Sequence, residues 1–143
     1  PGQIAISGHV EAVLRVLARG KGKQLPVSAP FHSALMAPAA EHMRAVLAGL
    51  HFQETSAPVL TNVDNKPMTI STEFPDSLVR QITSPVRWDS GVQAMLSLGV
   101  DRMVELGHGR ILAGMMKRIA REVPVLNVMD DASLTAAAEA LAA

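Results

Sequence analysis

The stretch that most constrains what this chain can fold into runs from Arg102 to Val128. Residues 102–106 read as a short apolar strand, Gly107-His108-Gly109 as a tight loop, residues 110–121 as an amphipathic helix and residues 123–128 as a second apolar strand. Strand, helix and strand in that order, joined by a connection too long for a hairpin, predict a βαβ unit with parallel strands and a right-handed crossover. A parallel pair has to be covered by helices, so an α/β architecture follows.

The rest of the chain agrees with that class. Polar and apolar residues alternate over 3–7, which predicts a half-buried strand ended by Gly8, and Val10, Val13, Leu14 and Leu17 then mark a helix. A glycine-rich basic loop over 18–23 leads into a second predicted strand at 24–28. Met43, Val46, Leu47 and Leu50 fall at helical spacing, and Pro38 suits a first turn where no amide donor is needed, so a helix is expected from about Ala37. Residues 58–65 read as a buried strand running into a polar turn, with a short return over 66–69. Pro75 and Asp76 open a helix bearing Leu78, Val79 and Ile82, which Pro85 ends. A further helix spans 88–98, closed by Gly99, and Asp130-Asp131 is placed to cap an alanine-rich helix over 132–142.

Composition removes several function classes. The 13 basic and 13 acidic residues balance and are scattered, so the basic face of a nucleic-acid binder is not expected. With no cysteine there is no disulfide, thiolate zinc site or cysteine nucleophile, which fits a cytoplasmic protein. No apolar stretch approaches the roughly 18 residues of a membrane span. With 143 residues, 48% of them hydrophobic, the chain reads as one globular domain or a large piece of one. It lacks an initiator methionine and enters strand-like sequence directly after Pro1, as if opening in mid-structure.

The chemistry is concentrated in Leu25-Pro26-Val27-Ser28-Ala29-Pro30-Phe31-His32-Ser33, an extended run that delivers an imidazole into a turn just ahead of a helix. Such an imidazole is well placed to act as a base. No Gly-x-Ser-x-Gly elbow occurs in the chain to supply its nucleophile. The histidines His9, His32, His42, His51 and His108 show neither i, i+4 pairing nor a paired carboxylate, so no metal site is expected. Gly107-His108-Gly109 lacks the third glycine of a dinucleotide fingerprint and the Gly-Lys-Ser/Thr of a P-loop, and reads as a tight βα connection. Met115 and Met116 read as core packing, and Lys21 and Lys23 as solvated turn residues.

Several of these segments recur together. Val27-Ser28-Ala29-Pro30-Phe31-His32-Ser33-Ala34-Leu35-Met36, Asn62-Val63-Asp64, Val79-Arg80-Gln81-Ile82-Thr83-Ser84-Pro85-Val86-Arg87-Trp88 and Glu105-Leu106-Gly107 followed by Leu112 resemble, in order and spacing, the malonyl-CoA:acyl-carrier-protein transacylase family, including related acyltransferases of polyketide synthesis. Pro1-Gly2-Gln3-Ile4-Ala5-Ile6-Ser7-Gly8-His9 looks like the segment entering that family's small ferredoxin-like subdomain. The resemblance covers essentially the whole chain and matches the family's C-terminal half. It implies the C-terminal part of an α/β-hydrolase-like acyltransferase core over 29–143, with a remnant of the ferredoxin-like subdomain over 1–28. His108 stands where the family usually has proline, and the connection at 20–23 is shorter.

By that resemblance His32 is the general base and acid, and the main-chain carbonyl of Gln81 is the acceptor that orients it. Phe31 is the ring that crowds a branched extender unit, and Gln3 lines the acyl or pantetheine channel. The resemblance further implies malonyl-CoA as substrate, acyl carrier protein as acceptor, and an intermediate on a serine upstream of Pro1. No permanently bound cofactor is expected, the coenzyme A thioester being a substrate, and the chain alone should be inactive without the missing N-terminal half. Two other readings stay open from the residues: a non-catalytic α/β interaction module in which His32 merely packs, and an acyltransferase for another extender unit.

Overall fold

The computed structural model describes residues 4–20 and 22–142, and the chain divides between Gly91 and Val92 into two units. In the first, helices α1 (Val10–Leu17), α2 (Ala37–Ala48) and α3 (Phe74–Thr83) accompany two short strands, β1 (Val59–Leu60) and β2 (Pro67–Met68). The strands pair antiparallel, Val59 opposite Met68. Pro38 and Pro75 each sit in the first turn of their helix, where a missing N–H costs nothing.

Helix α2 packs on α3. Ala40, Leu47 and Val79 form the buried centre of the contact, with Phe52, Leu78 and Ile82 partly buried around it. The rings of Phe52 and Phe74 stack with centroids 6.4 Å apart. The buried stripe of α2 is therefore Ala40 and Leu47, at i, i+7, while Met43, Val46 and Leu50 of the stripe predicted from sequence are exposed. Small Ala40 lets the helix backbones approach, which a reading by hydrophobicity alone undervalues.

Over the described residues, the strands predicted at 3–7 and 24–28 do not form. Residues 4–7 and 24–28 are irregular, with Ile4, Ile6, Leu25 and Val27 exposed. Alternation specifies a face but supplies no ladder, and an extended segment becomes a strand only when a neighbour satisfies its amides and carbonyls. No described segment does so here.

The chain passes between units within helix α4 (Trp88–Ser97). Gly99 closes that helix in the left-handed region, φ +89°, with the Gly99 and Val100 amides donating to the Leu96 and Met95 carbonyls. The second unit then follows the expected order: β3 (Met103–Leu106), α5 (Ile111–Ile119), β4 (Val125–Val128) and α6 (Asp131–Ala142). β3 and β4 are parallel, with Met103 opposite Val125 and Leu106 opposite Val128. The α/β class holds. Ala113, Met116 and the flanking Ala120 are buried at i, i+3, i+7 of α5. Asp130 accepts from the Ser133 amide at 2.8 Å while the Ser133 hydroxyl accepts from the Asp130 amide at 3.0 Å, a reciprocal cap for α6. The Ser133 hydroxyl also donates to the Asp130 carboxylate at 2.6 Å, and that bond, ahead of the one from the Ser133 amide, holds the Asp130 carboxyl below the usual range.

Among the described residues no helix is long and apolar enough to cross a membrane, and no group of three or more metal-binding side chains converges.

Candidate active site

Helix α3 ends at Thr83 because the next residues are Ser84-Pro85. A residue before proline is driven out of the helical region, and Ser84 is extended at φ −106°, ψ 151°. The helical partner of the Gln81 carbonyl would be the amide at i+4, which is Pro85 and has no N–H. The sequence thus leaves the Gln81 carbonyl unpaired within its own helix.

That carbonyl meets the imidazole of His32: Nδ1 lies 3.0 Å from the Gln81 oxygen. A carbonyl can only accept, so Nδ1 carries the proton and Nε2 of the neutral ring keeps its lone pair. The His32 ring is exposed. A proton taken up at Nε2 leaves the Nδ1–H bond in place, beside the negative end of a helix dipole.

His32 reaches this position through an unusual backbone. Its φ is +60°, left-handed, in a residue with a β-carbon. The left-handed region costs an L-residue roughly 1–2 kcal/mol, and such strain collects at functional sites. The turn is held around it: the Ser33 hydroxyl donates to the Pro30 carbonyl at 2.7 Å, and the Met36 amide donates to the Ser33 carbonyl at 3.0 Å, starting the short turn Ala34–Met36 that leads into α2.

The side chain of Gln81 is held as well. Its Oε1 accepts from the Asn62 amide at 3.4 Å and from Asn62 Nδ2 at 3.5 Å. The same turn is tied to α3 at two further points: Ser77 Oγ donates to Thr61 Oγ1 at 3.1 Å in the interior, and Arg80 grips both oxygens of Asp64 at 2.8 and 2.6 Å. Ser77, Arg80 and Gln81 share one face of the helix by their i, i+3, i+4 spacing. The Arg80 hydrogen bond is the main cause that holds the Asp64 carboxyl below the usual range, with partial burial opposing it and Lys66 and Arg87 adding to it. Asp64 and Asp76 together push the Arg80 guanidinium upward. The pair is 42% and 35% exposed, so its net contribution to folding is about 1 kcal/mol or less.

Sequence reasoning on residues alone missed this clasp. Two neighbouring features did have a signal, the Asp76/Arg80 contact in its i, i+4 spacing and the free Gln81 carbonyl in the proline at i+4, but nothing in the spacing pointed to Asp64. Phe31 precedes the imidazole in the chain and is 47% exposed. Gln3 lies outside the described residues. In the second unit the loop at 107–109 is a βα connection with Gly107 and Gly109 at positive φ, and the α5 amides of Leu112 and Ala113 are taken by the Glu105 carboxylate at 2.9 Å each. Asn127, opposite Glu105 on β4, donates to the same carboxylate at 2.8 Å. The Ala113 amide is the main cause that keeps the Glu105 carboxyl below the usual range. An internal anion fills the place a phosphate would take.

A transacylase of Salmonella typhimurium named malonyl CoA-acyl carrier protein transacylase is 40% identical over 143 residues, covering 96% of this chain and 46% of its own. The protein of the same name from Haemophilus influenzae is 42% identical, over 99% of this chain and 47% of its own. A solved malonyl-transacylase in complex with its type II polyketide acyl-carrier protein superposes with a TM-score of 0.86 at 40% identity, over 93% of this chain and 45% of that one. The chain is a relative of the malonyl CoA-acyl carrier protein transacylases. It spans about half the length of the curated transacylases it matches. No protein-family model matches it.

Proposed function

We propose that this chain carries the proton-transferring half of a transacylase that moves malonyl from coenzyme A to the phosphopantetheine thiol of acyl carrier protein in the cytoplasm. The nucleophilic serine belongs to the half of the transacylases that this chain does not span. Residues 1–28 belong to a small ferredoxin-like subdomain, and residues 29–143 to the α/β-hydrolase-like core.

In this reading Nε2 of His32 takes the proton of the serine hydroxyl as the oxygen attacks the malonyl thioester. The C–O bond forms, the C–S bond breaks, and the departing coenzyme A thiolate receives the proton from Nε2. In the second half-reaction the carrier thiol gives its proton to Nε2 and attacks the malonyl ester. The C–S bond forms, the C–O bond breaks, and Nε2 returns the proton to serine. The Gln81 carbonyl holds Nδ1–H throughout, which makes the pair a dyad with a main-chain orienter in place of a carboxylate. The reaction is proton and acyl transfer and calls on no resident cofactor. Gln3 lines the acyl or pantetheine channel.

The observation that carries the reading is the 3.0 Å bond from a left-handed His32 to a helix-end carbonyl. A non-catalytic module has no need of a strained histidine whose Nε2 bonds to none of the described residues. The test joins the chain to the nucleophile-bearing half of a transacylase and follows malonyl transfer from malonyl-CoA to the carrier protein. Transfer above the level of that half alone is expected; none would overturn the reading.

Phe31 supplies selectivity in the same reading, its ring occupying the space a methyl branch would need. One methyl in such a pocket is worth about 1–3 kcal/mol, or roughly 10–200-fold. Phe31→Ser should lower the kcat/KM ratio of malonyl-CoA to methylmalonyl-CoA by a factor in that range. An unchanged ratio assigns the selection elsewhere.

A further inference from the structure

We propose that Arg80, through its two-pronged grip on Asp64, is a positioning residue that aims the Gln81 carbonyl at His32. The inference rests on the function proposed above and deepens it.

The last turn of α3 has little to hold it from within. The final carbonyls of a helix lack intrahelical partners, and Pro85 forbids continuation. A turn of that kind frays unless something outside the helix fixes it. Here the fixing element is the turn at 61–65, which is itself tied down. Its Asn65 amide donates to the Thr61 carbonyl at 3.2 Å, and the Asn62 carbonyl accepts from the Arg87 amide at 3.2 Å. Asn65, left-handed at φ +52°, donates through Nδ2 to Ser90 Oγ at 2.8 Å and to the Arg87 carbonyl at 3.2 Å.

Against that turn the helix is held at three heights. The Ser77 to Thr61 bond sits one turn back, and the long contacts of Asn62 to the Gln81 amide oxygen, 3.4 and 3.5 Å, are weak. Arg80 makes the short contacts, 2.8 and 2.6 Å to Asp64, and its Nε donates to Asp76 at 2.7 Å. A planar guanidinium bound through two parallel N–H groups fixes direction as well as distance. Its α-carbon adjoins the residue whose carbonyl faces the imidazole. The Arg80 and Asp64 side chains are 42% and 35% exposed, and exposed pairs do little for folding. Removing the pair should leave the protein folded while loosening the aim of one carbonyl.

The experiment compares Arg80→Met, Arg80→Lys and Asp64→Asn with the parent, each in the full chain joined to a nucleophile-bearing half. Two readouts are taken: kcat and KM for malonyl transfer, and the proton position on the His32 ring by nitrogen-15 NMR. Arg80→Met is expected to lower kcat by ~10–100-fold with KM for malonyl-CoA within about twofold, in keeping with the cost of misplacing a catalytic group by about 1 Å. Its His32 ring should lose the excess of the Nδ1–H form. Arg80→Lys restores charge without the fork and should recover only part of both signals, and Asp64→Asn should behave like Arg80→Met. A parent enzyme that transfers malonyl, with variants that keep both kcat and the Nδ1–H excess, would overturn the role of Arg80 and leave the functional reading standing. A parent with no transfer counts against the functional reading, and the NMR arm still decides whether Arg80 orients the ring. If a variant unfolds by circular dichroism, the pair is structural and the proposal fails.

Discussion

His32→Ala is expected to lower kcat/KM for malonyl transfer by about 10²–10⁴-fold, the usual worth of a general base, equivalent to about 3–5 kcal/mol of transition-state stabilisation. The decisive companion is His32→Gln. A glutamine amide is a hydrogen-bond donor able to reach toward the Gln81 carbonyl, but it has no lone pair that takes up a proton near neutral pH. If the ring acts as a base, both substitutions cost the same order of magnitude. Recovery of most activity by the glutamine variant would reduce His32 to a strut. The assay needs the chain joined to a nucleophile-bearing half and malonyl-CoA varied against a fixed level of carrier protein.

The second large effect falls on the packing that carries the proposed His32–Gln81 dyad. Leu47→Ala should destabilise the protein by about 2–5 kcal/mol, because the side chain is 7% exposed in the α2–α3 contact and its removal opens a cavity beside Val79. Val46→Ala is the control one residue away. Val46 is 48% exposed, so its loss should stay within about 0.5 kcal/mol. Urea unfolding reads both as shifts in midpoint at constant slope. Equal effects would mean that the face of α2 has been assigned wrongly. The consequence reaches the site, since α2 follows directly from the His32 turn and α3 presents Gln81.

These two cases also show where the sequence was readable. The parallel pair at 103–106 and 125–128 was legible because a strand, a glycine loop and a helical stripe occurred in a fixed order that few topologies satisfy. The cap at Asp130 was legible for a local reason: its partner Ser133 is three residues away. The end of α3 was legible from Pro85 alone. The strands expected at 3–7 and 24–28 failed on a non-local requirement, a ladder partner, about which alternation says nothing. The buried face of α2 was misread because Ala40 contributes by being small. The clasp between Arg80 and Asp64 joins residues 16 apart across a turn, and no periodicity encodes such a pair. The Gln81 carbonyl, proposed to orient His32, is a middle case. Its identity came from resemblance to a family, yet proline at i+4 already singled out Gln81 as a residue whose carbonyl is free.

The proposed role of His32 depends on which of its nitrogens holds the proton, and nitrogen-15 labelled histidine with two-bond proton–nitrogen correlation reads it directly. At a pH where the ring is neutral, the His32 signals should show Nδ1 as the protonated nitrogen and Nε2 as the bare one, and Pro85→Ala, which restores a competing amide for the Gln81 carbonyl, should weaken that preference. A ring protonated mainly at Nε2 would contradict that role, since its lone pair would sit on Nδ1 facing the helix-end carbonyl, leaving none at Nε2 for a serine and no N–H to donate to that carbonyl.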